Sequence, residues 1–172
     1  MNCLAQICLR PGMPVAWMIS SNATEITIDF FLAKLRERNP KVIPKWFMSD
    51  FDRAQLNSVQ RRYSESTLLL CWWHVLHAWQ QHFITTSFPE LWDVLKRWIW
   101  IIDEAEFNNS WAKVQALAPK SFTKYIITYW LPVRDMWSAM ARKNRTVFEQ
   151  SDTNMLVEAY VILLLSHFSD CS

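Results

Sequence analysis

Glycine is nearly absent. The 172-residue chain holds one, Gly12, where average usage of about 7% would give roughly a dozen. P-loops and Rossmann fingerprints need several glycines for close backbone approach to phosphate, so both kinds of nucleotide site are excluded. Cysteine is sparse: Cys3, Cys8, Cys71 and Cys171 have neither zinc-ribbon spacing nor the density of a small secreted framework. They read as reduced thiols of an intracellular protein. No long hydrophobic run is present. The longest, Met155 to Leu165, is interrupted by Glu158 and is too short and too charged to span a bilayer. The N-terminus lacks the basic region and clean apolar core of a signal peptide. Asn22, Asn108 and Asn144 open glycosylation triplets, which in an intracellular chain are chance matches. Charge of one sign is also lacking, with a formal net charge of +2. The mild basic bias lies in the N-terminal half and permits nucleic-acid contact without arguing for it.

Aromatic residues, by contrast, make up 15% of the chain, and 11 of them are tryptophan. That content excludes a disordered tail and implies a core of large rings. The length fits one domain. Leu4 to Leu9 and Val15 to Ile19 are apolar runs about a Pro11-Gly12 turn and read as a hairpin. Ser21 or Asn22 can cap a helix from about Thr24 to Arg38, on which Ile26, Phe30, Phe31 and Leu35 recur at helical spacing. Pro44 to Ser49 reads as a short buried strand, Asp52 to Arg62 as a second helix, and Thr67 to Cys71 as a fourth strand of one small sheet. Beyond Trp72 the pattern is helical. Its apolar faces are Val75-Leu76-Trp79-Phe83, Leu91-Trp92-Leu95-Trp98-Ile99-Ile102, Phe107-Trp111-Val114 and Phe122-Tyr125-Ile126-Tyr129. Ser87 and Pro89 are placed to start the second of these, and Asp152 or Thr153 to cap a last helix.

Four groups carry candidate chemistry. Asp50 ends a buried strand, where α/β folds present side chains to ligands, and a carboxylate there can hold a divalent metal. Its plainer role is the N-cap of the following helix. Glu158 lies inside the apolar run of the last helix and points either to solvent or into a site; if it converges with Asp50, the two are paired metal ligands of the kind used in phosphodiester chemistry. Cys71 and His74 sit three residues apart at a strand-to-helix corner. Zinc is not expected there, since a structural site needs four ligands and His77, His82 and Cys171 are not placed by spacing. Trp92, Trp98, Trp111 and Trp130 suit core packing better than base stacking. Lys34, Arg36, Arg38, Lys41 and Lys45, with Arg61-Arg62 and Arg142-Lys143-Arg145, form either a solvated face or, if gathered, a phosphate-tracking patch.

Four strings extend this reading: Pro14-Val15-Ala16-Trp17-Met18-Ile19, Phe47-Met48-Ser49-Asp50, Leu70-Cys71-Trp72-Trp73-His74 and Thr153-Asn154-Met155-Leu156-Val157-Glu158. In this order the chain resembles the transposase domain of Mutator-like elements (MULE), of the fungal type, truncated at both ends. The resemblance spans nearly the whole chain. It implies an α/β, RNase H-like DDE core lacking its first strand. Residues 1–74 would form sheet and helices, residues 75–150 an all-helical insertion, and residues 151–172 the helix bearing Glu158. Asp50 and Glu158 would be catalytic residues and ligands of Mg²⁺ or Mn²⁺, with Cys71 and His74 shaping the corner beside them. The family's first acid lies on its first strand, whereas no acid here precedes Glu25 and Asp29 falls within a helix. The implied ancestral activity is metal-dependent DNA cleavage and strand transfer at transposon ends in the nucleus, away from membranes. The fragment itself is expected to be inactive. The loss of the first strand leaves a central strand with an unpaired edge, which favours self-association. The alternative is a non-catalytic module that binds DNA or protein.

Overall fold

A computed structural model describes residues 2–10 and 13–142, with backbone alone at 2–10, 13–15 and 17. The chain is mixed helix and sheet, mostly helical, and divides into two compact units. The first reaches to Leu68; the second spans Leu69–Arg145.

The first unit opens with β1 (Asn2–Arg10) and β2 (Met13–Ser20), an antiparallel pair with Leu4 opposite Ile19 and Gln6 opposite Trp17. Helix α1 (Glu25–Arg38) follows. Its N-cap is Thr24, not Ser21 or Asn22: the Thr24 hydroxyl accepts from the Thr27 backbone N–H at 3.4 Å. Asn22 instead buttresses the cap, accepting from the Thr27 hydroxyl at 2.7 Å. The buried face of α1 is only partly the expected one. Phe31 packs against the core and Leu35 is half-buried, but Ile28 and Leu32 are buried while Ile26 and Phe30 are 82% and 61% exposed. Apolar residues surround much of this helix, so spacing alone leaves the face open. Helix α2 (Arg53–Arg62) sends Arg61 to Glu25 at 2.6 Å and Arg62 to Asp29 at 2.5 Å. Those pairs turn the Glu25-Asp29 side toward α2. The core then gathers Ile28 and Leu32 with Phe47, Val59 and Tyr63.

Strands β3 (Trp46–Ser49) and β4 (Thr67–Leu70) pair, and α2 is the crossover that a parallel pair requires. The Thr67 N–H donates to the Lys45 carbonyl at 2.9 Å. Among the described residues the four strands therefore form two two-stranded sheets rather than one. Each strand takes the partner nearest in sequence, the hairpin closing on itself and the crossover returning β4 to β3.

The second unit is helical. It comprises α3 (Trp72–Gln80), α4 (Pro89–Trp98), α5 (Glu104–Leu117) and α6 (Lys120–Tyr125), which runs on as a π-helical stretch over Ile126–Trp130. A 3₁₀ turn at Leu131–Val133, α7 (Arg134–Trp137) and a 3₁₀ turn at Ala139–Arg142 complete it. Pro89 occupies the first position of α4, as expected, but Phe88 rather than Ser87 is its N-cap. Asp103 caps α5, accepting from the Glu106 N–H at 2.8 Å. Helix α3 ends before Phe83 and α4 before Ile102, which is 57% exposed. The Phe83 ring still packs 5.0 Å from Phe122.

Tryptophans fill the core of this unit. Trp79, Trp98, Trp130 and Trp137 are all fully buried. The Trp79 ring meets Trp130 and Trp137 edge-on at 5.6 and 5.1 Å. Indole N–H groups buried this deeply need acceptors. Trp98 donates to the Phe107 carbonyl at 3.1 Å and Trp137 to the Trp130 carbonyl at 2.9 Å. The four tryptophans considered for base stacking are therefore committed to packing, with Trp98 and Trp130 buried and Trp92 and Trp111 half-buried.

Candidate functional site

Asp50 follows the carboxyl end of β3 and is half-buried. It does not cap α2. Asp52 does, its carboxylate accepting from the Gln55 N–H at 2.8 Å. The reason is readable afterwards: Asp52-Arg53-Ala54-Gln55 has the cap-and-N3 spacing of a capping box. Ser49 fixes the corner between strand and helix. Its buried hydroxyl lies 2.6 Å from Gln55 Oε1 and 3.0 Å from the Asp50 carbonyl. The corner thus holds Asp50 at the strand end while a different acid serves the helix. That is the position from which a carboxylate reaches a ligand in an open α/β sheet.

Cys71 and His74 mark the carboxyl end of β4. Cys71 is fully buried and is the N-cap of α3 without a side-chain capping bond. His74, half-buried one turn in, packs edge-on to the Trp73 ring at 4.8 Å. Both therefore belong to one helix start. Arg142, 6% exposed, closes the same corner. Its guanidinium lies 4.4 Å over the Trp72 ring and donates to the carbonyls of Leu70 and, at 3.1 Å, Met136. The Trp72 indole in turn donates to the Trp137 carbonyl at 2.5 Å. The sequence counted Arg142 among surface cations; only its place at the end of an aromatic-rich block hinted otherwise.

Of the remaining basic candidates, Lys34 pairs with Glu37 at 2.6 Å, Arg36 with Glu65 at 2.6 Å, and Arg61 and Arg62 with Glu25 and Asp29, while Arg38, Lys41 and Lys45 are exposed. These pairs depress the acids. The Arg36 hydrogen bond holds the Glu65 carboxyl down to about 2. Arg62, with Arg61 adding less, holds Asp29 below its ordinary value, and Asn57 and Arg61 do the same for Glu25. Asp29 is thus an interhelix ion-pair residue on α1.

Among the described residues no group of three or more His, Cys, Asp or Glu side chains is placed to hold a metal ion. Glu158, Thr153, Cys171, Lys143 and Arg145 lie outside the described residues. No described helix is long and apolar enough to cross a membrane. An open groove of about 960 Å³, lined by Arg97, Trp100, Ile102, Glu106, Lys113 and Leu117, contains none of the sequence-derived candidates. Compared with family models, curated proteins and solved structures, the chain matches nothing.

Proposed function

We propose that the chain is part of a MULE-type transposase catalytic domain with an RNase H-like core, and that its ancestral reaction is metal-dependent cleavage and transfer of DNA strands. The observation that carries this reading is the corner after β3. Ser49 and Gln55 pin it, Asp52 takes the capping duty, and Asp50 is left at the strand's carboxyl end. The strand–helix–strand unit that follows, with Cys71-x-x-His74 opening the next helix, supports the same reading.

The donor chemistry fits a hard cation in part. Asp50 supplies carboxylate oxygen, the ligand type Mg²⁺ and Mn²⁺ prefer. Glu158 is the second ligand in this reading. When bound, the metals would activate the attacking oxygen and stabilise the leaving one. The chain's own part is to hold Asp50 in place through the Ser49–Gln55 clamp. The second reading is a DNA- or protein-binding module without catalysis.

The test is nicking of supercoiled DNA with Mg²⁺ or Mn²⁺. Nicking that Asp50→Asn abolishes supports the catalytic reading. No nicking, with DNA binding that falls steeply with salt, supports the module. Absence of both removes the two readings together.

A further inference from the structure

The loop between α1 and β3 is fixed at both ends and displayed along its middle. At its start the Asn39 N–H donates to the Leu35 and Arg36 carbonyls at 3.1 and 3.2 Å. The Val42 N–H donates back to the Asn39 carbonyl at 3.0 Å, closing a turn with Pro40 at its second position. At its end the Pro44 carbonyl accepts from the Ser66 hydroxyl at 2.5 Å, and the Lys45 carbonyl from the Thr67 N–H at 2.9 Å. Between these anchors Val42 and Ile43 are 40% and 49% exposed. Arg38 and Lys41 before them and Lys45 after them are exposed as well. The Lys45 ammonium lies 5.3 Å over the ring of Trp46, so its charge stays at the loop's end.

The exposed charge of this loop is of one sign, and Glu37 just before it is taken by Lys34 at 2.6 Å. A complementary partner therefore carries negative charge. It must also cover Val42 and Ile43. A phosphate backbone would meet the cations and leave both apolar side chains against its own charge. A lipid surface takes in apolar side chains to a depth of about 5–10 Å. Val42 and Ile43 are each more than half covered by the protein, so they lie along the surface instead of projecting from it. A protein segment with apolar side chains among carboxylates meets both demands. A loop pinned beforehand loses little freedom on binding it.

We propose that residues 38–45 are a docking loop for an acidic segment of another protein, with Val42 and Ile43 under its apolar side chains and Arg38, Lys41 and Lys45 against its carboxylates. The proposal rests on the binding-module reading and names the partner's chemistry. It needs neither Asp50 nor a metal. Because the cations are exposed, their attraction falls as salt screens it, while the apolar contact remains.

The experiment is fluorescence anisotropy of the whole chain with a labelled peptide of alternating leucine and glutamate, about ten residues long. The comparison ligands are a serine–glutamate peptide of the same charge, an oligothymidylate, and vesicles of phosphatidylcholine with phosphatidylserine. The leucine–glutamate peptide is expected to bind best and to weaken as salt is raised. Serine in place of leucine, and Lys41→Glu, should each weaken binding about tenfold. Ile43→Ser should give a smaller loss. Lys120→Glu, which makes the same charge change at an exposed position of α6, should leave binding unchanged. Far-UV circular dichroism checks each variant's fold; if Ile43→Ser unfolds, Lys41→Glu and the two peptides carry the test. Equal binding of the two peptides overturns the proposal, as does equal loss in Lys41→Glu and Lys120→Glu, tighter binding of the oligothymidylate or the vesicles, or no binding of the peptide. Salt-dependent DNA binding without peptide binding would leave the module reading standing and remove this loop's part in it.

Discussion

Replacing Trp137 by alanine should remove a large share of the second unit's stability. The side chain is fully buried and contacts Trp79, Trp98 and Phe107 at 5.1, 5.0 and 5.8 Å. Its N–H holds the Trp130 carbonyl, and its own carbonyl accepts from Trp72. Truncating a buried tryptophan to alanine costs about 3–5 kcal/mol through lost transfer energy and the cavity left behind. A domain's whole stability is about 5–15 kcal/mol. At a urea slope of about 2 kcal/mol per molar, Trp137→Ala should lower the unfolding midpoint by about 2 M. Trp137→Phe keeps a ring against its neighbours but drops the hydrogen bond to Trp130. It should cost about 1–2 kcal/mol, about half to one molar. Trp100→Ala is the control, since that ring is 59% exposed, and surface changes usually stay within about 0.5 kcal/mol. Urea titration followed by far-UV circular dichroism reads all three. If Trp137→Ala moves the midpoint no further than Trp100→Ala, the tryptophan cluster is not what holds this unit together.

Three further outcomes are expected. Asp52→Ala should lose about 1 kcal/mol of stability through the lost cap, whereas Asp50→Ala should not lose it by that route; paired urea titrations separate them. Glu65 has a folded-state pKa below its unfolded value, so its pairing with Arg36 contributes stability above about pH 4.5 that is lost as pH falls toward about 2. Glu65→Gln should therefore flatten the acid limb of the stability–pH curve in that window and leave neutral pH less stable. Arg142→Ala should cost about 2–3 kcal/mol, since charged donors to two carbonyls vanish from a buried site. Arg142→Lys should fail to restore it, because an ammonium cannot both cover the Trp72 ring and reach the Leu70 and Met136 carbonyls; thermal melts of the three proteins decide.

Element type was legible where one signal dominated. Helix α4 carries buried Leu91, Leu95, Trp98 and Ile99 at helical spacing behind a proline at its first position, and it forms as read. The strand at Phe47 and the crossover to Leu69 were equally plain. Helix α1 was legible as a helix but not as a face. Ile26 and Phe30 are as apolar as Ile28 and Leu32, and the choice between them rests on packing against Phe47, Val59 and Tyr63, residues distant in sequence. Spacing within one helix does not contain that information. The site was legible as a corner, because a buried run ending in Ser49-Asp50 has few other readings. Which acid caps the helix was open to the capping-box spacing from Asp52 to Gln55, a local signal that outranks nearness to the strand end.

Neither two-stranded sheet accounts for the first unit's stability. A two-stranded sheet is marginal by itself, so β3 depends on the Ile28, Leu32, Val59 and Tyr63 packing that α1 and α2 bring to Phe47. Catalysis by Asp50 would in turn depend on that same packing, because the Ser49–Gln55 clamp spans strand and helix. A core change such as Val59→Ala should therefore disturb the acid's position before it unfolds the unit.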